Sequence, residues 1–92
     1  MNLSTRSYKE VAKSYNHIAF GNRVRDIRKK KKLTQMDLCA KMVIDHDSGT
    51  TMDVSVLSRI ERGIANITLD KVFLLIKSLE VHPNELLNFK VK

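Results

Sequence analysis

Arg59 and Arg62 fall within the stretch DVSVLSRIERG, residues 53–63, and Ser55 and Ser58 share it with them. Guanidinium groups donate hydrogen bonds in a rigid fork and hydroxyls both donate and accept, so this set suits recognition of polar edges and anions. A second concentration of charge is the run RKKKK at 28–32, five consecutive cations. Such a run can neutralise phosphates, each contact releasing counterions. It can equally be a solvated helix end, where the dipole favours each cation by roughly 0.3–1 kcal/mol. Covalent chemistry finds no foothold. The sequence shows no paired carboxylates placed for a cleft, no glycine-rich phosphate loop, and no Ser or Cys beside a His base. His17, His46 and His82 are scattered and read as surface or capping residues. Asp45, His46 and Asp47 are adjacent, but three neighbours rarely converge on one ion and no second cluster completes the set. We therefore expect no enzyme, no metal and no cofactor, and a solvated loop at 45–47.

The elements that must position these residues can be read from apolar spacing. Leu57, Ile60 and Ile64 recur at helical intervals beneath the polar tips of 53–63. Asp53 is placed to accept from the free amides of the first turn, and Gly63 to end the helix in a left-handed turn. Upstream, Ser7 and Glu10 form a capping-box signature, followed by a stripe of Tyr8, Val11, Ala12 and Tyr15. Asn16 and Gly21 weaken the pattern, so a break or kink is expected there. A second stripe runs through Phe20, Val24 and Ile27 into the basic run. Thr34 reads as the N-cap of the next helix, with Leu38, Cys39 and Met42 on its buried side and Gln35 outward in its first turn. The stretch 43–52, VIDHDSGTTM, either extends that helix by a turn before a loop or is loop throughout. Thr68 then opens a strongly amphipathic helix whose stripe is Leu69, Val72, Phe73, Ile76 and Leu79, flanked by Leu75. Pro83 suits the first position of a last short helix. Leu86, Leu87, Phe89 and Val91 give that end more apolar surface than one face can bury, which suggests self-association.

Composition bounds the rest. The 92 residues suffice for one domain with a modest core. Seventeen Lys and Arg against ten Asp and Glu leave a net charge of +7, which suits a polyanionic partner. Cys39 is the single cysteine, so no internal disulfide can form, and a reducing cytoplasm is expected. No run is long enough to span a bilayer.

The segments IRKKKKLTQMDLCAKM, VSVLSRIERG and NITLDKVFLLIKSLEV together resemble helix-turn-helix regulators of the phage-repressor and Xre type. The tail segment also looks like the controller proteins of restriction–modification systems. The likeness covers roughly residues 20–89. It implies an all-α, lambda-repressor-like domain of five helices, the second and third forming the helix-turn-helix and the third, 54–62, entering the major groove. Here that domain, 17–92, would carry an extra N-terminal arm or short helix, 1–16, and an enlarged loop at 44–51. Positions matching the base-reading sites are Val54, Ser55 and Arg59. Positions matching phosphate contacts are Gln35, Ser58, Arg62 and Asn66, to which the basic run adds Lys31 and Lys32. Arg28 and Glu61 occupy the places of a buried ion pair, and a buried charge needs such a partner. Leu86, Leu87 and Phe89 are the candidate dimer interface. Cys39 stands where the family prefers alanine.

The expected function is sequence-specific binding of double-stranded DNA by a homodimer on a two-fold operator, regulating transcription as a repressor or activator in the cytoplasm. Arg59 would donate two hydrogen bonds to a guanine edge, worth roughly 1–3 kcal/mol of discrimination, and Val54 or Val56 would pack on a thymine methyl. The alternative is an antitoxin-type module that masks a protein partner through residues 8–15 or the inserted loop and also binds its own promoter. No membrane association is expected.

Overall fold

The computed structural model describes residues 12–45 and 50–92. Five helices follow in order: α1 (Tyr15–Lys30), α2 (Gln35–Asp45), α3 (Val54–Glu61), α4 (Leu69–Leu79) and α5 (Pro83–Leu86). No strand occurs among the described residues. The fold is all-α, and no helix is long and apolar enough to cross a membrane.

Ser14 caps α1, its hydroxyl accepting from the His17 amide. The helix then runs unbroken through Asn16 and Gly21, correcting the break expected there. Gly21 serves packing instead. A Cβ at that position would stand 2.3 Å from the Ile60 carbonyl oxygen and 2.7 Å from that of Glu61. Only a residue without a side chain lets α1 lie this close to the backbone of α3. α1 already begins at Tyr15, ahead of the expected boundary between 16 and 17, and Ala12 to Ser14 are not helical. The rest of the expected N-terminal helix lies outside the described residues.

α2 opens with a reciprocal cap: the Thr34 amide donates to Asp37 Oδ2 and the Asp37 amide to Thr34 Oγ1, both at 2.9 Å. Of the two readings of 43–52, the helix extends to Asp45. Asp53 caps α3 through the Val56 amide, and Gly63, at φ 76°, ends it. A Cβ on Gly63 would lie 2.8 Å from Ile18 Cα, so the turn also seats α3 against the start of α1. The Lys13 amide donates to the Gly63 carbonyl at 2.8 Å, tying the chain ahead of α1 to the same turn.

Thr68 caps α4. The packing of this helix corrects part of one expectation. Its buried side is Leu74, Leu75, Ser78 and Leu79, whereas Leu69 is 70% exposed and Phe73 59%. At 100° per residue Leu69 and Phe73 fall opposite Ser78, while Val72 and Ile76 lie at the margin, partly buried against the core. Of the stripe assigned to the core, Leu79 is buried and Val72 and Ile76 pack against it, whereas Leu69 and Phe73 point away. The cause is visible in the sequence: α4 is apolar on both faces, and a serine sits in the middle of the face that is buried.

His82 and Glu85 form the capping box of α5, with Pro83 in its first turn. Leu86 is wholly buried in the core with Val24, Leu38, Met42, Leu57, Leu75 and Leu79. That removes Leu86 from any interface with a second chain, a correction to the candidate set. Cys39 joins the same core, and burial pushes its thiol pKa up. The C-terminal end is clipped to α1. Arg23 donates from Nε and Nη2 to the Glu85 carbonyl, and the Asn16 carboxamide exchanges two 2.8 Å hydrogen bonds with the Lys92 backbone.

Candidate nucleic-acid interface

The structure places Arg28 against Glu61 in the interior. Arg28 Nε donates to Glu61 Oε2 at 2.7 Å and Nη2 to Oε1 at 2.9 Å, with side-chain exposures of 9% and 4%. Arg28 Nη1 also donates to the Leu33 carbonyl, the link between α1 and α2. The hydrogen bonds from Arg28 to Glu61 hold the guanidinium pKa above its ordinary value. A fork-to-fork pair fixes both distance and angle, so the angle of α3 relative to α1 is set by geometry as well as by burial.

Gln35 is part of this network. Its Nε2 donates to Glu61 Oε1 at 3.0 Å, and the side chain is half-buried. The resemblance placed it outward as a phosphate contact; the structure ties one of its amide hydrogens to Glu61. A carboxamide nitrogen carries two hydrogens, so a second donor remains.

On α3, Ser55, Arg59 and Arg62 are exposed, Ser58 is half-buried, and Leu57, Ile60 and Glu61 are buried. The helix thus presents a polar ridge and hides an apolar stripe. Ser55 Oγ donates to Asp53 Oδ1 at 2.8 Å. The Asp53 carboxyl is held below the usual carboxylate range, first by the Val56 amide and then by the Ser55 hydroxyl, with the Arg59 charge adding to both. Val54 and Val56 are half-buried against the core, leaving part of each side chain for contact. Arg62 Nε donates back to the Ser58 carbonyl at 3.3 Å.

The remaining expected phosphate contacts do not gather in one place. Asn66 is exposed in the connector after α3, and its Oδ1 lies 3.2 Å from His17 Nε2. Lys31 reaches the other way, its Nζ donating to the Glu80 carbonyl of the turn after α4. Lys32 is exposed in the turn after α1 with φ 62°. Two cations, Lys29 of the basic run and Arg25, which the sequence did not single out, lie nearer to α3. Arg25 and Lys29 line a crevice with Arg28, Gln35, Ser58, Glu61 and Arg62. The signal was available in spacing: 25, 28 and 29 share a helical face, and Arg28 had already been directed inward. At the other end of the domain, Leu87 is 50% exposed and Phe89 is half-buried.

This arrangement is a helix held by its two predecessors with its polar side outward. The sequence profile of the helix-turn-helix family matches residues 24–86. The chain is a helix-turn-helix protein. Its family is one of DNA-binding regulators rather than enzymes. The helix-turn-helix chain is also similar to a solved structure, the restriction–modification controller protein C.AhdI from Aeromonas hydrophila. The likeness has a TM-score of 0.68 and 29% identity, over 79% of this chain and 98% of that one. No curated protein matches this helix-turn-helix sequence.

Proposed function

We propose that the protein is a sequence-specific transcription regulator that binds a two-fold DNA site as a homodimer, in the manner of a restriction–modification controller. The observation that carries this reading is the exposed ridge of α3, aimed by the buried pair of Arg28 and Glu61. A helix of this diameter fits the major groove. Arg59, exposed near its end, reads a guanine edge. Ser55 and the uncovered parts of Val54 and Val56 flank it. Ser58, Arg62, Gln35 and Asn66 meet the backbone. A net charge of +7 supplies affinity that is independent of sequence. The protein acts in the cytoplasm, where such sites are found.

The dimer forms through apolar surface that the monomer leaves uncovered: Leu69 and Phe73 on α4, with Leu87 and Phe89 at the C-terminal end. Two α3 helices on one side of a duplex would then contact half-sites about 34 Å apart.

The test is selection of bound duplexes from a random pool at moderate salt, followed by Arg59→Ala on the selected site. A two-fold motif is expected. The substitution should weaken binding to that site roughly 10- to 100-fold, the equivalent of a lost bidentate base contact, and random DNA far less. Equal losses on both would show Arg59 to be a backbone contact, and a pool without enrichment would overturn the reading.

One observation favours a protein partner as a second reading. Met36, Val43 and Ile44 are 72%, 61% and 81% exposed on α2. An antitoxin-type module would present such a surface, and its main interaction would depend weakly on salt, unlike binding to DNA.

A further inference from the structure

We propose that the crevice between α1 and α3 seats one backbone phosphate of duplex DNA, with Arg25 and Lys29 as its ligands beside Arg62; this rests on the DNA-binding reading above. The crevice has a volume of about 270 Å³. Water occupies about 30 Å³ per molecule in the liquid, so a phosphate group and several waters fit. Glu61 is the one acidic residue lining it among the described residues, and that carboxylate already accepts from Arg28 and Gln35. Arg25, Lys29 and Arg62 add three cationic side chains at the rim, and the Ser58 hydroxyl adds a donor. An anion with several acceptor oxygens matches that set.

The place fits a phosphate better than a base. On α3, Ser58 and Arg62 fall on the edge between the exposed ridge and buried Glu61. When Ser55 and Arg59 point into the groove, that edge meets the groove wall, which is backbone. The phase of α1 also divides the basic run. Lys29 faces α3 through the crevice. Lys30 and Lys31 line a separate hollow with Arg23, Asp26, Val81 and Glu85. Adjacent lysines therefore differ in role, and Lys30 is a built-in control.

The experiment is a salt titration of binding by the full chain to the selected operator and to random duplex. It compares wild type with Arg25→Ala, Lys29→Ala, Lys29→Gln and Lys30→Ala. Arg25, Lys29 and Lys30 are all exposed, so the variants should keep the wild-type melting temperature. Each crevice substitution should lower the magnitude of the slope of log K against log salt by about 0.9. It should weaken operator and random DNA by the same factor, while Lys30→Ala leaves the slope unchanged. Slopes that fall equally for Lys29→Ala and Lys30→Ala, or for neither, overturn the phosphate seat while leaving DNA binding intact. A wild type with no salt-dependent duplex binding overturns the DNA-binding reading itself, and the seat with it.

Discussion

Glu61 shows what a single side chain decides here. It accepts two hydrogen bonds from Arg28 and one from Gln35, and so joins all three of the first helices. Replacing it by alanine leaves the Arg28 guanidinium buried with only the Leu33 carbonyl as acceptor. Removing one member of a buried pair costs roughly 3–5 kcal/mol. That is a large share of the roughly 5–15 kcal/mol available to a domain. Glu61→Ala should therefore lower the urea midpoint severely, and an unchanged midpoint would show that the pair contributes little. The sequence made this pair legible because a family resemblance named both positions. Lys29 and Arg25 were not legible in the same way. A run of five cations looks uniform in one dimension, and only the helical phase separates its members.

At the scale of the element, the ends of helices are more informative than their middles. Thr34, Asp53, Thr68 and Gly63 all announced themselves, because capping chemistry is local and needs no tertiary partner. Two further helix ends carry left-handed residues that are not glycine, Lys32 at φ 62° and Glu80 at φ 57°. For an L-residue that conformation costs roughly 1–2 kcal/mol, partly offset for glycine by about 0.5–1 kcal/mol of extra chain entropy. Lys32→Gly should therefore stabilise the protein by up to about 1 kcal/mol, read as a rise of a few degrees in melting temperature. A fall would mean that the lysine side chain itself holds the turn.

The caps also set the acid response of these elements. Asp37 is held below the ordinary carboxylate range by its hydrogen bonds with Thr34, and Asp53 by the Val56 amide and Ser55 hydroxyl. A lowered folded-state pKa adds stability that is present above the unfolded range and lost as pH falls through the folded value. The melting temperature should hold from neutrality to about pH 5 and fall below about pH 4. Asp53→Asn, which caps without a charge, should make that fall shallower; an identical acid limb would assign the loss elsewhere.

For the whole molecule, periodicity directs Val72, Ile76 and Leu79 of α4 toward the core but does not separate Leu69 and Phe73 from them, because burial is decided by what the other helices present. The outcome puts Leu69 and Phe73 on the surface of a small basic domain. Phe73 is mostly exposed, so Phe73→Glu should fold normally; if the proposed homodimer forms through this face, the variant should sediment as a monomer and wild type as a dimer. A wild type that stays monomeric at high concentration would leave the apolar face needing another explanation. The all-helical class and the helix order were readable from spacing, caps and the family resemblance. The packing of α1 onto α3 was not, because Gly21 reads as a helix breaker until the neighbouring carbonyls are seen.

The lone sulfhydryl turns the molecule into its own stopwatch. Cys39 is 8% exposed, and desolvation holds it in the unreactive thiol form. A water-soluble alkylating reagent can modify it only when the helices part, so its labelling rate clocks opening of the core. Adding duplex DNA would slow that clock in proportion to occupancy, giving a footprint of binding from inside the protein rather than along the nucleic acid.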